Sequence, residues 1–198
     1  MNEKFLNHSI GIDEYITGNR FIDICEKTSA VFCKTDYIHT LAGTNQPTLI
    51  THNSDYHINQ HRYDLGPRHS RWFCQNKDYD SESLIPIPIG IENIKLRTTP
   101  QSHGGRYSSE VKGAFAKSLL LDKINNFDLE KRSMAYMNFN IDTYPMERQM
   151  VWDAFKGENW VSKTQRISME KFYFDMASHK FVFSPRGNGI DCHRTWEA

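Results

Sequence analysis

The sequence carries no excess of charge. Its 24 Lys and Arg residues offset 24 Asp and Glu, so no global field draws in nucleic acid or an anionic membrane. It also lacks a charged block or basic tail, so any phosphate site has to be local. Cysteine is scarce: Cys25, Cys33, Cys74 and Cys192 include no CxxC pair, and a chain of 198 residues does not depend on staples. They read as reduced thiols of a cytosolic protein. No apolar run approaches the ~18 residues of a membrane helix. The opening residues, MNEKFLNHSI, lack a basic region followed by an apolar one, so no signal peptide and a cytoplasmic location are expected. The formal sequon "NHS" at Asn7–Ser9 means little in that setting. There is no HExxH motif, and no bound metal or other cofactor is expected. Internal repeats and low-complexity tracts are missing too.

What the chain has is material for a core. Apolar residues make up 38% and aromatics 13%, which suits one ordinary domain or two small ones. Short apolar runs occur at "AVFCK" (Ala30–Lys34), "PTLITHN" (Pro47–Asn53), "SRWFCQN" (Ser70–Asn76) and "LIPIPIG" (Leu84–Gly90). They are nearly continuous rather than alternating, the pattern of strands buried on both faces. Two prolines make the last of them an edge strand or an extended crossover. "TDYIHTLAG" predicts a helix stopped at Gly43. "RTTPQSHGGRYSS" is a linker by its Pro and Gly punctuation. Beyond it "SSEVKGAFAKSLLLDKINNF" is helical in part and "SMAYMNFN" reads as a strand. "TYPMERQMVWDAFKG" predicts a helix capped by Thr143, with Met146, Met150, Val151 and Ala154 at helical spacing. "SMEKFYFDMASHK" predicts another, capped by Ser168, before the strand "FVFS". The order points to two α/β lobes with mostly parallel sheets: residues 1–95, a linker at 96–110, and residues 111–198.

The chain closes on "FVFSPRGNGIDCHRTWEA" (Phe181–Ala198), a strand, a glycine turn and the start of a helix. In that geometry backbone N–H groups and the positive helix end face an anion. Gly187 and Gly189 are expected to allow positive φ and close approach of the main chain to a ligand. Asp191 is the expected N-cap. Arg194 and Glu197 share a helix face, a fork for phosphate oxygens beside an acceptor for ribose hydroxyls, while Cys192 and Trp196 are expected to pack inward. No Gly-Lys-Ser/Thr follows, so this is not a P-loop. Cys192 stands where a dinucleotide fingerprint has its third Gly or Ala. The same residues fit a plainer arrangement, a tight βα turn with Arg194 paired to Glu197 on the surface.

The closing stretch resembles the signature of exostosin-like glycosyltransferases and related viral and bacterial sugar transferases. There a strand leads into a Ser/Cys-Pro-x-Gly turn, an Arg and an aromatic-Glu-Ala helix. "LITHNSDYHI", "WFCQNKD", "IPIPIGIEN" and "NFNIDTYPMERQMVW" are similar as well, so the likeness runs from about Ala30 onward. The resemblance implies a GT-B fold of two Rossmann-like lobes, the first holding the acceptor and the second the nucleotide-sugar donor. It implies that Arg186 and Arg194 face the donor diphosphate, that Gly187, Asn188 and Gly189 form the turn, and that Glu197 holds the ribose. Asp191 would cap the helix or reach the donor sugar. The implied reaction is an inverting, metal-independent transfer from a UDP- or GDP-linked sugar to a glycan or other hydroxyl acceptor. The resemblance also implies further chain after Ala198, so the second lobe is expected to be incomplete.

An inverting transfer needs a base for the acceptor hydroxyl. "THNSDYH" (Thr51–His57) follows a strand, and open α/β sheets bind ligands at strand carboxyl ends. Asp55 is the first candidate, His52 the second and His57 the third, although Asn53, Ser54 and Asp55 are also ordinary turn formers. Asn76, Lys77 and Asp78 are candidates to line the same site, with Glu92 and Asn93 nearer the lobe junction. Asp78 and Asp80 form an Asp-x-Asp triplet, the metal motif of single-lobe (GT-A) transferases, and stand as the alternative. The remaining alternatives are a non-catalytic nucleotide- or glycan-binding module and, with only its aromatics in favour, a nucleic-acid-binding protein.

Overall fold

The computed structural model describes residues 18–92, 113–131 and 133–198. The expected linker at 96–110 and the sequon at Asn7–Ser9 lie outside the described residues. Among the described residues the chain is α/β, with two sheets in which every strand pair is parallel, Rossmann-like in coarse form. It divides into two compact units. Residues 18–92 with Gly187–Trp196 belong to the first, and residues 113–131 and 133–186 with Glu197 and Ala198 to the second.

The first unit contains α1 (Gly18–Glu26), β1 (Val31–Lys34), a 3-10 helix (Thr35–Leu41), β2 (Asn45–His52), α2 (Gln60–Leu65), β3 (Arg68–Cys74) and β4 (Leu84–Pro86). The strands stand in the order β1-β2-β3-β4. Leu49–His52 are all buried, as a strand covered on both faces requires. Its core joins Cys33, Ile38, Leu49, Ile58, Trp72, Cys74 and Leu84, with Tyr63 packed against it. Trp72 brings a polar atom into this core and satisfies it: Nε1 donates to Thr51 Oγ1 at 2.8 Å. Pro86 sits on the edge strand, where a missing N–H costs nothing. "TDYIHTL" forms a 3-10 helix rather than an α-helix, and Gly43 ends the segment at φ 78°.

The second unit contains α3 (Gly113–Asn125), β5 (Ser133–Met137), a 3-10 turn (Ile141–Thr143), α4 (Pro145–Phe155), β6 (Val161–Lys163), α5 (Met169–Ala177) and β7 (His179–Val182). Its sheet order is β6-β5-β7. The chain leaves β5 toward β6 and then crosses back to the other side, which creates a topological switch point at the carboxyl ends of β5 and β7. Ala135, Met137, Phe139 and Val161 form the core beneath Val151, Trp152 and Phe155 of α4.

Three expectations need correction here. Thr143 lies in the 3-10 turn, and the α4 N-cap is Tyr144, whose side chain makes no capping bond. Met146 and Met150 are 72% and 69% exposed, because the half-buried stripe that α4 packs on the core runs through Val151, Trp152 and Phe155. The strand β6, only "VSK", separates the two helices read as consecutive. Ser168 does cap α5, accepting from Lys171 N at 3.2 Å. No helix among the described residues is long and apolar enough to cross a membrane.

Candidate functional site

The strands of the first sheet end in polar loops that interlock. At the end of β2, His52 is fully buried, with its ring nitrogens 2.8 Å from Asn53 Oδ1 and 2.9 Å from Pro88 O. Burial holds its pKa below the ordinary value, against opposing hydrogen bonds to Asn53 and Pro88 and the charge of Asp191. This ring is sealed between two loops, whereas Asp55, the first of the three base candidates, is exposed. Asn53 and Asn76, the first residues to leave β2 and β3 in left-handed conformation, both have φ 58°. Asparagine tolerates this region, and here both turns redirect the chain where the loops meet. Gln75 Oε1 accepts from Asn53 N, while Gln75 Nε2 and Asn76 Nδ2 both donate to Ser54 O at 3.0 Å. The loop carrying Asp55 is thus held from below. Asp36, after β1, adds to this edge. Burial alone would raise its carboxyl, but hydrogen bonds from Ser54 and Lys34 outweigh it and hold the pKa low. Cys74, at the end of β3, is buried, and burial pushes its thiol up to about 12.

The closing segment packs onto this same edge. Asp191 N donates to Asn76 Oδ1 at 2.8 Å, and Asp191 Oδ2 accepts from Ile89 N at 2.7 Å. A Cβ added at Gly189 would lie 2.7 Å from Asn76 Nδ2, so glycine here lets the turn approach the Asn76 side chain closely. Among the described residues the glycines at positive φ are Gly43 and Gly90, so neither Gly187 nor Gly189 takes the conformation expected of it. Asp191 is not the N-cap either. The last helix, α6 (His193–Glu197), starts two residues later, and both Asp191 oxygens accept from Trp196 Nε1, at 2.8 and 2.9 Å. That bond keeps Trp196 at the surface, 46% exposed, instead of packed inward. His193 Nδ1 meets Gly90 O at 2.7 Å and Nε2 lies 3.9 Å from Glu92 Oε1. The turn itself reaches the base candidates: Asn188 Nδ2 donates to Asp55 Oδ2 at 3.4 Å, and Asn188 O lies 3.4 Å from His57 Nε2.

In the second unit, Arg186 follows β7 at the switch point, its guanidinium 4.4 Å from the centre of the Tyr144 ring. Arg148, on α4 and 5% exposed, donates through Nε to Arg186 O and through Nη1 to Asn140 O, both at 2.7 Å. Its Nη2 lies 3.5 Å from Pro185 O. Sequence reasoning missed Arg148 and Tyr144, since a charged residue on an amphipathic helix reads as surface. The one available signal was the helix beginning right after a strand end. Glu197 is not on an exposed face and is not paired with Arg194. Its side chain is 6% exposed and takes Lys117 Nζ at 2.6 Å, a charge pair between residues 80 apart in sequence. Arg194 is half-buried.

Asp78 and Asp80 do not converge. Asp78 Oδ2 lies 3.5 Å from His57 Nδ1, while the fully exposed Asp80 lies 3.8 Å from Lys77 Nζ. Among the described residues, no group of three His, Cys, Asp or Glu side chains is placed to share a metal ion. Asn93 lies outside the described residues. The chain matches no protein-family model and no curated protein.

Proposed function

We propose that the chain acts as a nucleotide-sugar-dependent glycosyltransferase of GT-B type. The observation that carries the reading is the contact of Asn188, in the signature-like turn, with Asp55 and His57, in the loop after β2. The two stretches, 133 residues apart, were singled out separately, one for the donor and one for the base, and they adjoin within one compact unit. In the proposed step Asp55 takes the proton of the acceptor hydroxyl as its oxygen bonds to the sugar's anomeric carbon. The bond from that carbon to the diphosphate oxygen breaks, and its electron pair leaves with the nucleoside diphosphate. Cationic side chains, Arg194 in the same unit as Asp55 among them, would stabilise the departing charge.

The test is release of UDP or GDP from a panel of nucleotide sugars, with and without glycan acceptors. Asp55→Asn should lower turnover about 10²–10⁴-fold, the usual range for a lost general base. Arg186→Ala and Arg194→Ala should each lower it about 10²-fold or more. Binding of the nucleotide without release from any donor would instead support a non-catalytic module of the same fold.

A further inference from the structure

We propose that Arg148 is a positioning residue for a diphosphate bound at the switch point of the second sheet, acting through Arg186, with Tyr144 as the second restraint. The inference rests on the transferase reading only for the identity of the anion. Open α/β sheets bind ligands outside the strand carboxyl ends where the strand order reverses, and in the order β6-β5-β7 that place lies between β5 and β7. Two loops border it, Asn138–Tyr144 after β5 and Phe183–Arg186 after β7. One guanidinium ties them together. Arg148 Nη1 holds Asn140 O of the first loop, while Nε and Nη2 hold Arg186 O and Pro185 O of the second. The planar fork makes this possible, because its donors diverge at fixed angles.

The consequence falls on Arg186. Its carbonyl is fixed by Arg148, and its guanidinium lies over Tyr144, so the main chain and the head group are both restrained. An arginine restrained at both ends meets a phosphate with little ordering left to do. A lysine at 148 would keep the charge, but its ammonium on a flexible stem could not hold both loops in place of the fork.

Calorimetric titration of pyrophosphate, UDP and GDP tests this, with thermal unfolding of each variant alongside. Arg148→Lys should weaken binding about tenfold or more while still unfolding cooperatively. Added to Arg186→Ala, it should cause little further loss, because a positioning residue acts only through the group it positions. Tyr144→Leu should weaken binding several-fold and Tyr144→Phe recover most of that loss; this pair decides if Arg148→Lys fails to fold. Wild-type affinity in Arg148→Lys, fully additive losses, or Tyr144→Leu binding as tightly as wild type would each overturn the proposal. So would a wild-type chain that binds none of the three ligands. Binding that follows the expected pattern without nucleotide release from any donor would sink the transferase reading and leave this one standing. Transfer that is indifferent to Arg148→Lys would do the reverse.

Discussion

His52 sits at the carboxyl end of β2, between its own loop and the one carrying Pro88, and its surroundings tie protonation to folding. Burial is the main influence and holds the folded-state pKa below the ordinary 6.5. The unfolded chain therefore binds this proton first as pH falls. Stability is full above about 6.5 and declines below it until the folded-state pKa is reached, with a slope of at most ~1.4 kcal/mol per pH unit. Urea unfolding between pH 8 and 5 should show wild type losing stability more steeply than His52→Gln, whatever the variant costs at pH 8. Parallel curves would mean that His52 is not held neutral. The same residue marks a limit on reading sites from sequence. "THNSDYH" exposes which groups could act as a base, but the choice between His52 and Asp55 depends on Pro88 and Asn53 closing around one ring. Contacts across 36 residues leave no trace in local spacing.

At the scale of elements, β2 and β3 were legible because parallel strands covered on both faces need continuous apolar runs. α5 was legible through Ser168, whose hydroxyl caps it. β6 was not, because three residues with one buried side chain carry no period. The exposed Met146 and Met150 mimic a core stripe, and only packing against β5 distinguishes them from Val151. Lys117 on α3 is the clearest case of a partner set by tertiary structure. Its ammonium and the Glu197 carboxylate are 4% and 6% exposed and 2.6 Å apart. Removing one partner breaks a charge pair in a poorly solvated place, which costs about 3–5 kcal/mol. Lys117→Met and Glu197→Gln should each lose stability of that order in urea. The double variant Lys117→Met/Glu197→Leu should recover part of it, because a packed apolar pair replaces two desolvated charges. Single variants within ~1 kcal/mol of wild type would show that the pair is solvated in solution.

For the whole molecule the governing fact is neutrality, 24 basic against 24 acidic residues. A chain without net charge has no long-range attraction for a polyanion, so the proposed recognition of phosphate would rest on a few arginines held in fixed geometry. The proposed ligand and the nucleic-acid alternative therefore separate cleanly in one measurement. A nucleotide present at 100 times its Kd adds about 2.7 kcal/mol to stability. For a chain of this length each kcal/mol moves Tm by roughly 2–4 °C, so UDP or GDP should raise it by ~5–11 °C. Arg186→Ala should abolish most of the rise, since the residue at the switch point is proposed to hold the diphosphate. Polyuridylate at the same phosphate concentration should leave Tm unchanged at moderate salt. A rise with polyuridylate that fades steeply as salt increases would mean that counterion release drives binding. In that case exposed aromatics such as Tyr37, Tyr56 and Trp196 would be candidates for base stacking.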